Sequence, residues 1–328
     1  MSGMENAESD FYKKLRQSEK TLILHQSFSA ALSRIKTAIE FAKNGAEPRH
    51  TLLVGESGTG KTWLAEHIES LFPKALVMNR KIIPVLLVST PPIPTLKSLC
   101  EEILFALDDP FYYRGTTTEK GIRALNLMRS CKVECVILDE FQHFLDNPRH
   151  ITSLTGVADW LKVFINEAGV PFVLIGLPHC EKVLHVNEQL RRRFSSRLNL
   201  PVFSIDTSDE ERQFRTVLNE IDKALPMEKI SGLAETDLAR RIYFATNGLI
   251  GYVRKLITDA FEKALLRNHS SISLDLLGEA FEDVVWRSNC AELNPFHCKF
   301  PYRKLNRAGE PFAMNLKEAE HSRRGGKK

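Results

Sequence analysis

The chain has little of what marks an exported or membrane-bound protein. Its 328 residues include six cysteines, at positions 100, 131, 135, 180, 290 and 298, and no two stand at Cys-x-x-Cys spacing. A disulfide framework is therefore not expected, and the cysteines, set largely in apolar runs, read as reduced core thiols. Cys290, His297 and Cys298 are neighbours in sequence, but not at the spacing of a zinc site. No apolar run reaches the length of a bilayer span and no charged-then-apolar leader opens the sequence, so a cytoplasmic protein without membrane contact is expected. Internal repeats and long low-complexity segments are absent. Charge of one sign is also lacking: 45 Lys and Arg face 41 Asp and Glu, a net +4. The balance is uneven, because residues 299–328 hold nine basic and three acidic residues, which leaves the rest slightly acidic. Residues 317–328 form a basic tail with few apolar residues, expected to be disordered and suited to DNA or an acidic partner. With 43 % hydrophobic residues, the remainder can bury a sizeable core.

What is present is more specific. Residues 55–62 read Gly-Glu-Ser-Gly-Thr-Gly-Lys-Thr, after the apolar run Thr51–Val54 and before a helical pattern. This is a P-loop in its required setting of strand, glycine loop and helix. Gly55, Gly58 and Gly60 let the backbone curl, so that N–H groups across Gly55, Glu56, Ser57, Gly58, Thr59 and Gly60 point at phosphate oxygens. Lys61 places a cation against the β- and γ-phosphates, and Thr62 offers a hydroxyl to Mg²⁺. The following helix aims its positive end at the same anion. Binding of a nucleoside triphosphate is expected.

Val133–Glu140 is an apolar strand ending in Asp139-Glu140. Set beside the P-loop strand, it would bring Asp139 to Mg²⁺, usually through a water, with Glu140 poised to orient and deprotonate the attacking water. No Asn-Lys-x-Asp guanine reader accompanies it, which favours ATP over GTP.

Apolar strands are expected at Thr51–Val54, Pro84–Val88, Val133–Leu138, Phe172–Gly176 and Leu198–Phe203. Amphipathic helices are expected between them, at Lys61–Leu71, Leu96–Leu107, Glu119–Ser130 and Val157–Glu167. That alternation predicts an α/β fold with a parallel five-stranded sheet flanked by helices, and ligand at the carboxyl ends of the strands. After about residue 205 only helices are expected: Ser208–Leu225, Glu235–Thr246, Ile250–Asn268 and Ser273–Val285. Asp209 and Asp275 read as caps, and Asn247-Gly248 as a break. The expected organisation is a flexible arm or interaction helix (1–20), an α/β ATPase subdomain (21–205), a helical lid (206–288) and an extension with a basic tail (289–328). A P-loop sheet followed by a four-helix lid is the outline of an AAA+ ATPase.

That outline implies roles for three further stretches. In Gln189–Phe194, an arginine before an aromatic corresponds to the finger that projects into a neighbouring subunit's nucleotide, with Arg193 the first choice and Arg192 the second. A solvated or DNA-facing basic patch is the plainer reading. In the lid, Arg254 corresponds to a second-sensor arginine at the γ-phosphate, against an exposed surface arginine. The first-sensor position, which normally carries Asn, Ser or Thr, reads Gly176-Leu177-Pro178-His179 here, so the role is vacant or moved to His179.

Several segments together resemble the TniB/TnsC family of AAA+ transposition regulators, carried by Tn-type and CRISPR-associated transposons. They are Val88–Leu99 (VSTPPIPTLKSL), Leu138–Phe144 (LDEFQHF), Ile175–Pro178, Gln189–Phe194 and Asn294–Phe296. The resemblance spans roughly residues 20 to 300. It implies an ATP-hydrolysing adaptor that oligomerises on DNA and links a target-selection protein to the transposase.

The residues independently permit this role. Head-to-tail subunits give rings or helical filaments, and a filament on duplex DNA needs cations that follow phosphates without reading bases. Candidates are Lys97, Arg114, Thr117 and Lys120, with Thr116–Thr118 as hydroxyl donors; a solvated helix face is the plainer reading. Phe111-Tyr112-Tyr113 is suited to base stacking or, more simply, to packing in the core or against the lid. His143 reads as a catalytic imidazole or, more simply, as a packing or subunit-interface residue. Competing functions are a replication-initiation or helicase-loading AAA+ ATPase, expected to carry a winged-helix domain after the lid, and a nucleotide-gated DNA scaffold with little hydrolysis.

Overall fold

The computed structural model describes residues 11–18, 25–146 and 154–313. Two compact units divide them: residues 26–201 form one, and residues from 202 onward join the amino-terminal segment in the other. The basic tail expected over 317–328 lies outside the described residues.

The first unit opens with helix α2 (Gln26–Lys43), after an α1 that belongs to the second unit, and continues into β1 (Thr51–Val54) and α3 (Lys61–Leu71). There follow β2 (Ala75–Val77), β3 (Arg80–Ile82), β4 (Val85–Ser89), α4 (Leu96–Ala106), α5 (Thr117–Ser130) and β5 (Cys135–Asp139). Short α6 (His143–Asp146), α7 (Leu154–Ala168), β6 (Phe172–Gly176), α8 (Glu181–Val186), α9 (Glu188–Arg193) and β7 (Ser196–Asn199) complete it.

The main sheet has the order β4-β5-β6-β1-β7 and every pairing is parallel. Helices pack on it, so strands such as β1, β5 and β6 are buried along their whole length and read as apolar runs instead of alternating ones. The core joins Leu52, Leu86, Val136, Leu138 and Leu174 to Ile103, Ala124, Leu161 and Phe164 from the helices. Thr95 and Thr116 cap α4 and α5, each in a reciprocal box with the residue three positions on.

Three features depart from the sequence expectation. First, β5 is not the neighbour of β1, because β6 lies between them. Second, the last strand is Ser196–Asn199 and not Leu198–Phe203. Leu200 N still donates to Val54 O at 2.9 Å, but Pro201 has no N–H with which to continue the ladder. Phe203 instead packs in the second unit. Third, β2 and β3 form an unexpected hairpin whose two-residue turn, Met78-Asn79, holds both residues at positive φ, 48° and 60°. The signal was a single asparagine, which tolerates that conformation.

The second unit contains α1 (residues 11–18), α10 (Ser208–Ala224), α11 (Thr236–Thr246), α12 (Ile250–Leu266) and α13 (Leu274–Val284). Residues 11–18, within the segment expected to be a flexible arm or an interaction helix, are helical, and Leu15 packs against the unit's core. The N-caps are Thr207 and Ser273; Asp209 and Asp275 sit in the first turns, where they complement the helix dipole. Asn247 and Gly248 are both left-handed (φ 50° and 72°), and a Cβ on Gly248 would lie 2.1 Å from Phe203 O. The extension does not stand apart from this unit. Phe296, Phe300 and Leu305 are buried in its core, and Arg241 Nη1 donates to Pro295 O at 2.8 Å and His297 O at 3.0 Å. Among the described residues no helix is long and apolar enough to cross a membrane.

Candidate nucleotide site

At the carboxyl end of β1 the chain turns sharply. Gly55 N donates to Gly176 O at 3.2 Å, and a Cβ on Gly55 would lie 2.6 Å from Leu200 O and 2.7 Å from Thr59 Oγ1. Only glycine fits that approach. Gly58 and Gly60 take φ of 81° and 90°. Gly60 is the N-cap of α3 and supplies no side-chain acceptor, and no acid occupies the first turn. A helix start of this kind, with its positive dipole end uncompensated by an acid, suits an anion. Lys61 is buried, and its ammonium donates to Gly55 O and Glu56 O, each at 2.8 Å. Burial lowers its pKa, opposed by the carboxylates of Glu140, Asp139 and Glu56.

Thr62 Oγ1 donates to Asp139 Oδ2 at 2.7 Å. Because β6 separates β1 from β5, this contact is made from α3, which crosses over the intervening strand, and not from adjacent strands. Asp139 is almost fully buried, and its other oxygen accepts the Glu140 N–H at 2.8 Å. Burial raises its pKa, opposed by the hydrogen bonds from Thr62 and from the Glu140 amide. Glu140, just past the strand, takes a left-handed φ of 55°. Nearby, Thr90 Oγ1 is buried without a hydrogen-bond partner, at the strand end where Thr90 N donates to Asp139 O at 2.9 Å. A buried carboxylate, a hydroxyl and an orphaned hydroxyl beside an amine form a donor set that suits a hydrated Mg²⁺ held with phosphate.

His179 Nε2 pairs with Asp146 Oδ1 at 2.8 Å. His143 contributes structure: its Nδ1 lies 2.9 Å from Thr90 O, and since a carbonyl only accepts, Nδ1 carries the proton. The residue that sequence reasoning missed is Gln142, buried between Glu140 and the end of β6. Its only sequence signal was a polar residue, three past the strand, between the buried Phe141 and Phe144.

Arg192 and Arg193 end α9 and line a cavity of about 630 Å³ with Glu47, Arg49, His50 and Gln189. Residues 46–50, 169 and 195 of its lining precede β1, β6 and β7, so it lies at the amino edge of the sheet. The phosphate loop lies at the carboxyl edge, about 13 Å away along the four residues of β1. Arg192 is exposed and pairs with Glu188, whereas Arg193 has no carboxylate partner among the described residues. The charge of Arg193 adds to burial in pushing His50 down to about 4.

The sequence model described as "Bacterial TniB protein" matches residues 13–204, more than half of the chain. The chain belongs to the TniB family. No curated protein matches it in sequence. In fold this TniB-family chain is similar to the Aeropyrum pernix ORC2 protein solved as ADPNP-ADP complexes (TM-score 0.59, 16 % identity, 83 % of this chain and 72 % of that one). It is also similar to Cdc6p from Pyrobaculum aerophilum (TM-score 0.60, 15 % identity, 82 % and 70 %). A third is the Aeropyrum pernix ORC1 protein in complex with DNA (TM-score 0.57, 16 % identity, 80 % and 66 %). These likenesses establish the P-loop AAA+ fold.

The four DNA candidates of this TniB-family chain separate on burial. Lys97 is exposed in the first turn of α4, and Thr117, half-buried, opens α5. Arg114 is exposed and lies over the rings of Phe111 and Tyr113, at 4.9 and 5.6 Å to the centroids. Phe111, Tyr112 and Tyr113 are themselves exposed, which corrects the core-packing expectation. Lys120 must be withdrawn. It is fully buried, paired with Glu101 and donating to Tyr113 O at 2.8 Å, so it presents no charge to a phosphate. Thr116 spends its hydroxyl on capping α5. Arg254 lies in the second turn of α12, in the second unit.

Proposed function

We propose that this chain is an ATP-dependent regulator of DNA transposition. It binds and hydrolyses ATP with Mg²⁺, assembles head to tail on duplex DNA without sequence specificity, and links a target-selection protein to a transposase. One observation carries the chemistry: Lys61, Thr62, Asp139 and Glu140 gather at the carboxyl edge of one sheet, with Thr62 Oγ1 2.7 Å from Asp139 Oδ2. Family membership supports the transposition role, and the nucleotide in the ORC2 structure and the DNA in the ORC1 structure support nucleotide-driven work on DNA.

In this reading Lys61 leaves its loop carbonyls for phosphate oxygens, and Thr62 and Asp139 are the residues that would hold Mg²⁺. Bound Mg²⁺ offsets the charge on the phosphates. Glu140 takes a proton from the attacking water, and ADP and phosphate leave. Arg193, remote from its own loop and without an acidic partner among the described residues, serves the nucleotide of an adjacent subunit, with Arg254 as the γ-phosphate arginine of the lid. A nucleotide-gated scaffold with little turnover is the second reading, favoured by the lack of a side chain at Gly176.

Electron microscopy with Mg²⁺, a slowly hydrolysed ATP analogue and random-sequence duplex tests the assembly. Rings or filaments that need both nucleotide and DNA are expected; monomers under every condition overturn it. Phosphate release with and without DNA separates the ATPase from the scaffold.

A further inference from the structure

The catalytic Glu140 carboxylate is not left to solvent. Gln142, 6 % exposed, donates from Nε2 to Glu140 Oε2, and its Oε1 accepts the Leu177 N–H at 3.3 Å. The orientation of this amide is forced by its neighbours, since a carboxylate only accepts and a backbone N–H only donates. Around it the structure makes room. A Cβ on Gly176 would lie 2.9 Å from Gln142 Oε1 and 2.4 Å from Cys180 Sγ, so the glycine at the end of β6 is the space this side chain occupies. The turn that carries it is stitched to the same strand, because Phe141 N donates to Ile175 O at 2.9 Å. Gly176 O in turn accepts from Gly55 N, the first residue of the phosphate loop, at 3.2 Å. A continuous path of short contacts thus runs from the phosphate loop through Gly176 and Leu177 to Gln142 and Glu140.

We propose that Gln142 is a positioning residue for hydrolysis: its side-chain amide, anchored on the end of β6, orients the Glu140 carboxylate. This rests on the hydrolytic reading of Glu140. Glu140 stands in a left-handed backbone conformation beyond the strand, and its own backbone N–H is committed to Asp139. Its carboxylate therefore depends on a neighbour for direction, and Gln142 is the side chain that supplies it. A glutamate at 142 would set carboxylate against carboxylate, and a methionine would keep the volume while removing both hydrogen bonds.

The test is steady-state ATP turnover by the full chain with Mg²⁺, with and without duplex DNA, comparing the parent with Gln142→Met, Gln142→Ala and Gln142→Glu. Affinity for a slowly hydrolysed analogue and the melting temperature are measured alongside. Each variant should lose kcat roughly 10- to 100-fold while KM and analogue affinity change less than about threefold. In a Glu140→Gln background, Gln142→Met should bring no further loss, because two residues that act as a unit are not additive. Full activity of Gln142→Met would reduce the residue to packing and overturn the inference alone, as would losses that multiply in the double variant. A parent that turns over no ATP, with or without DNA, overturns the hydrolytic reading and this inference with it.

Discussion

Thr62 and Asp139 lie 77 positions apart in sequence, one on the helix after β1 and the other at the end of β5, with β6 between those two strands, yet their side chains meet at 2.7 Å. The contact fixes the floor of the site. It brings the last residue of β5 under the first turn of α3 and leaves Glu140, one residue on, at the rim.

Replacing that rim carboxylate isolates the chemistry. Glu140→Gln should lower ATP turnover by on the order of 100-fold or more while the affinity for ATP and the assembly on DNA persist. Phosphate release and nucleotide binding, measured on the same preparation, check it.

Asp139 carries a stability cost in the nucleotide-free protein, because burial raises its pKa above the ordinary 3.8. A carboxyl group raised on folding penalises the fold once it ionises, so the penalty is absent below about pH 4 and grows as pH rises through the folded value. Asp139→Asn should therefore raise the nucleotide-free melting temperature at pH 7, with the gain fading toward pH 4, while weakening Mg²⁺–ATP binding. Melting curves across that range decide it.

His50 acts in the other direction. Its pKa falls from 6.5 to about 4, and its Nδ1 accepts the Phe172 N–H at 3.1 Å. The unfolded chain binds the proton first, so stability is full above about pH 7 and declines as pH falls through 6.5. The loss between pH 7 and pH 5 should be about 2 kcal/mol, and His50→Gln should abolish most of that dependence. Urea denaturation at the two pH values measures it.

The arginine that lines the amino-edge cavity can be tested by mixing subunits. Arg193→Ala alone should lose turnover by roughly 10³-fold in the assembled state and leave ATP binding intact. Mixing it with Glu140→Gln should restore part of the activity, since some interfaces then pair an intact Glu140 with an intact Arg193. No recovery in the mixture would mean that the arginine does not act between subunits.

Exposure divides the basic candidates. Arg114→Ala and Lys97→Ala should weaken duplex binding and each reduce its salt dependence by about one phosphate contact. Lys120→Ala should instead destabilise the fold by about 1–3 kcal/mol, because it removes a buried ammonium that pairs with half-buried Glu101 and leaves Tyr113 O without its donor. Binding titrations at several salt concentrations, with melting curves, separate the two effects.

Much of the fold was legible in the sequence because its signals are local. Residues 55–62 need particular backbone freedom and particular side chains at fixed spacing, and the apolar runs ending at Val54, Asp139 and Gly176 need burial on both faces. Other features were hidden because they depend on pairing between distant segments. Strand order is one: an apolar run is equally content beside β1 or one place removed, and only packing put β6 between β1 and β5. Lys120 is another, since a lysine on a helix reads as solvated until α4 supplies Glu101 to cover it.

The sequence by itself determined a phosphate loop, an acidic strand end and a helical second unit, because each rests on conformational or hydrophobic preferences of neighbouring residues. Only the tertiary structure decided that Cys180 and Gln142 take up the space a side chain at Gly176 would need, and that Arg193 lies at the sheet edge opposite its own phosphate loop. Those facts arise where side chains from separate elements compete for one volume, and no spacing along the chain records the outcome.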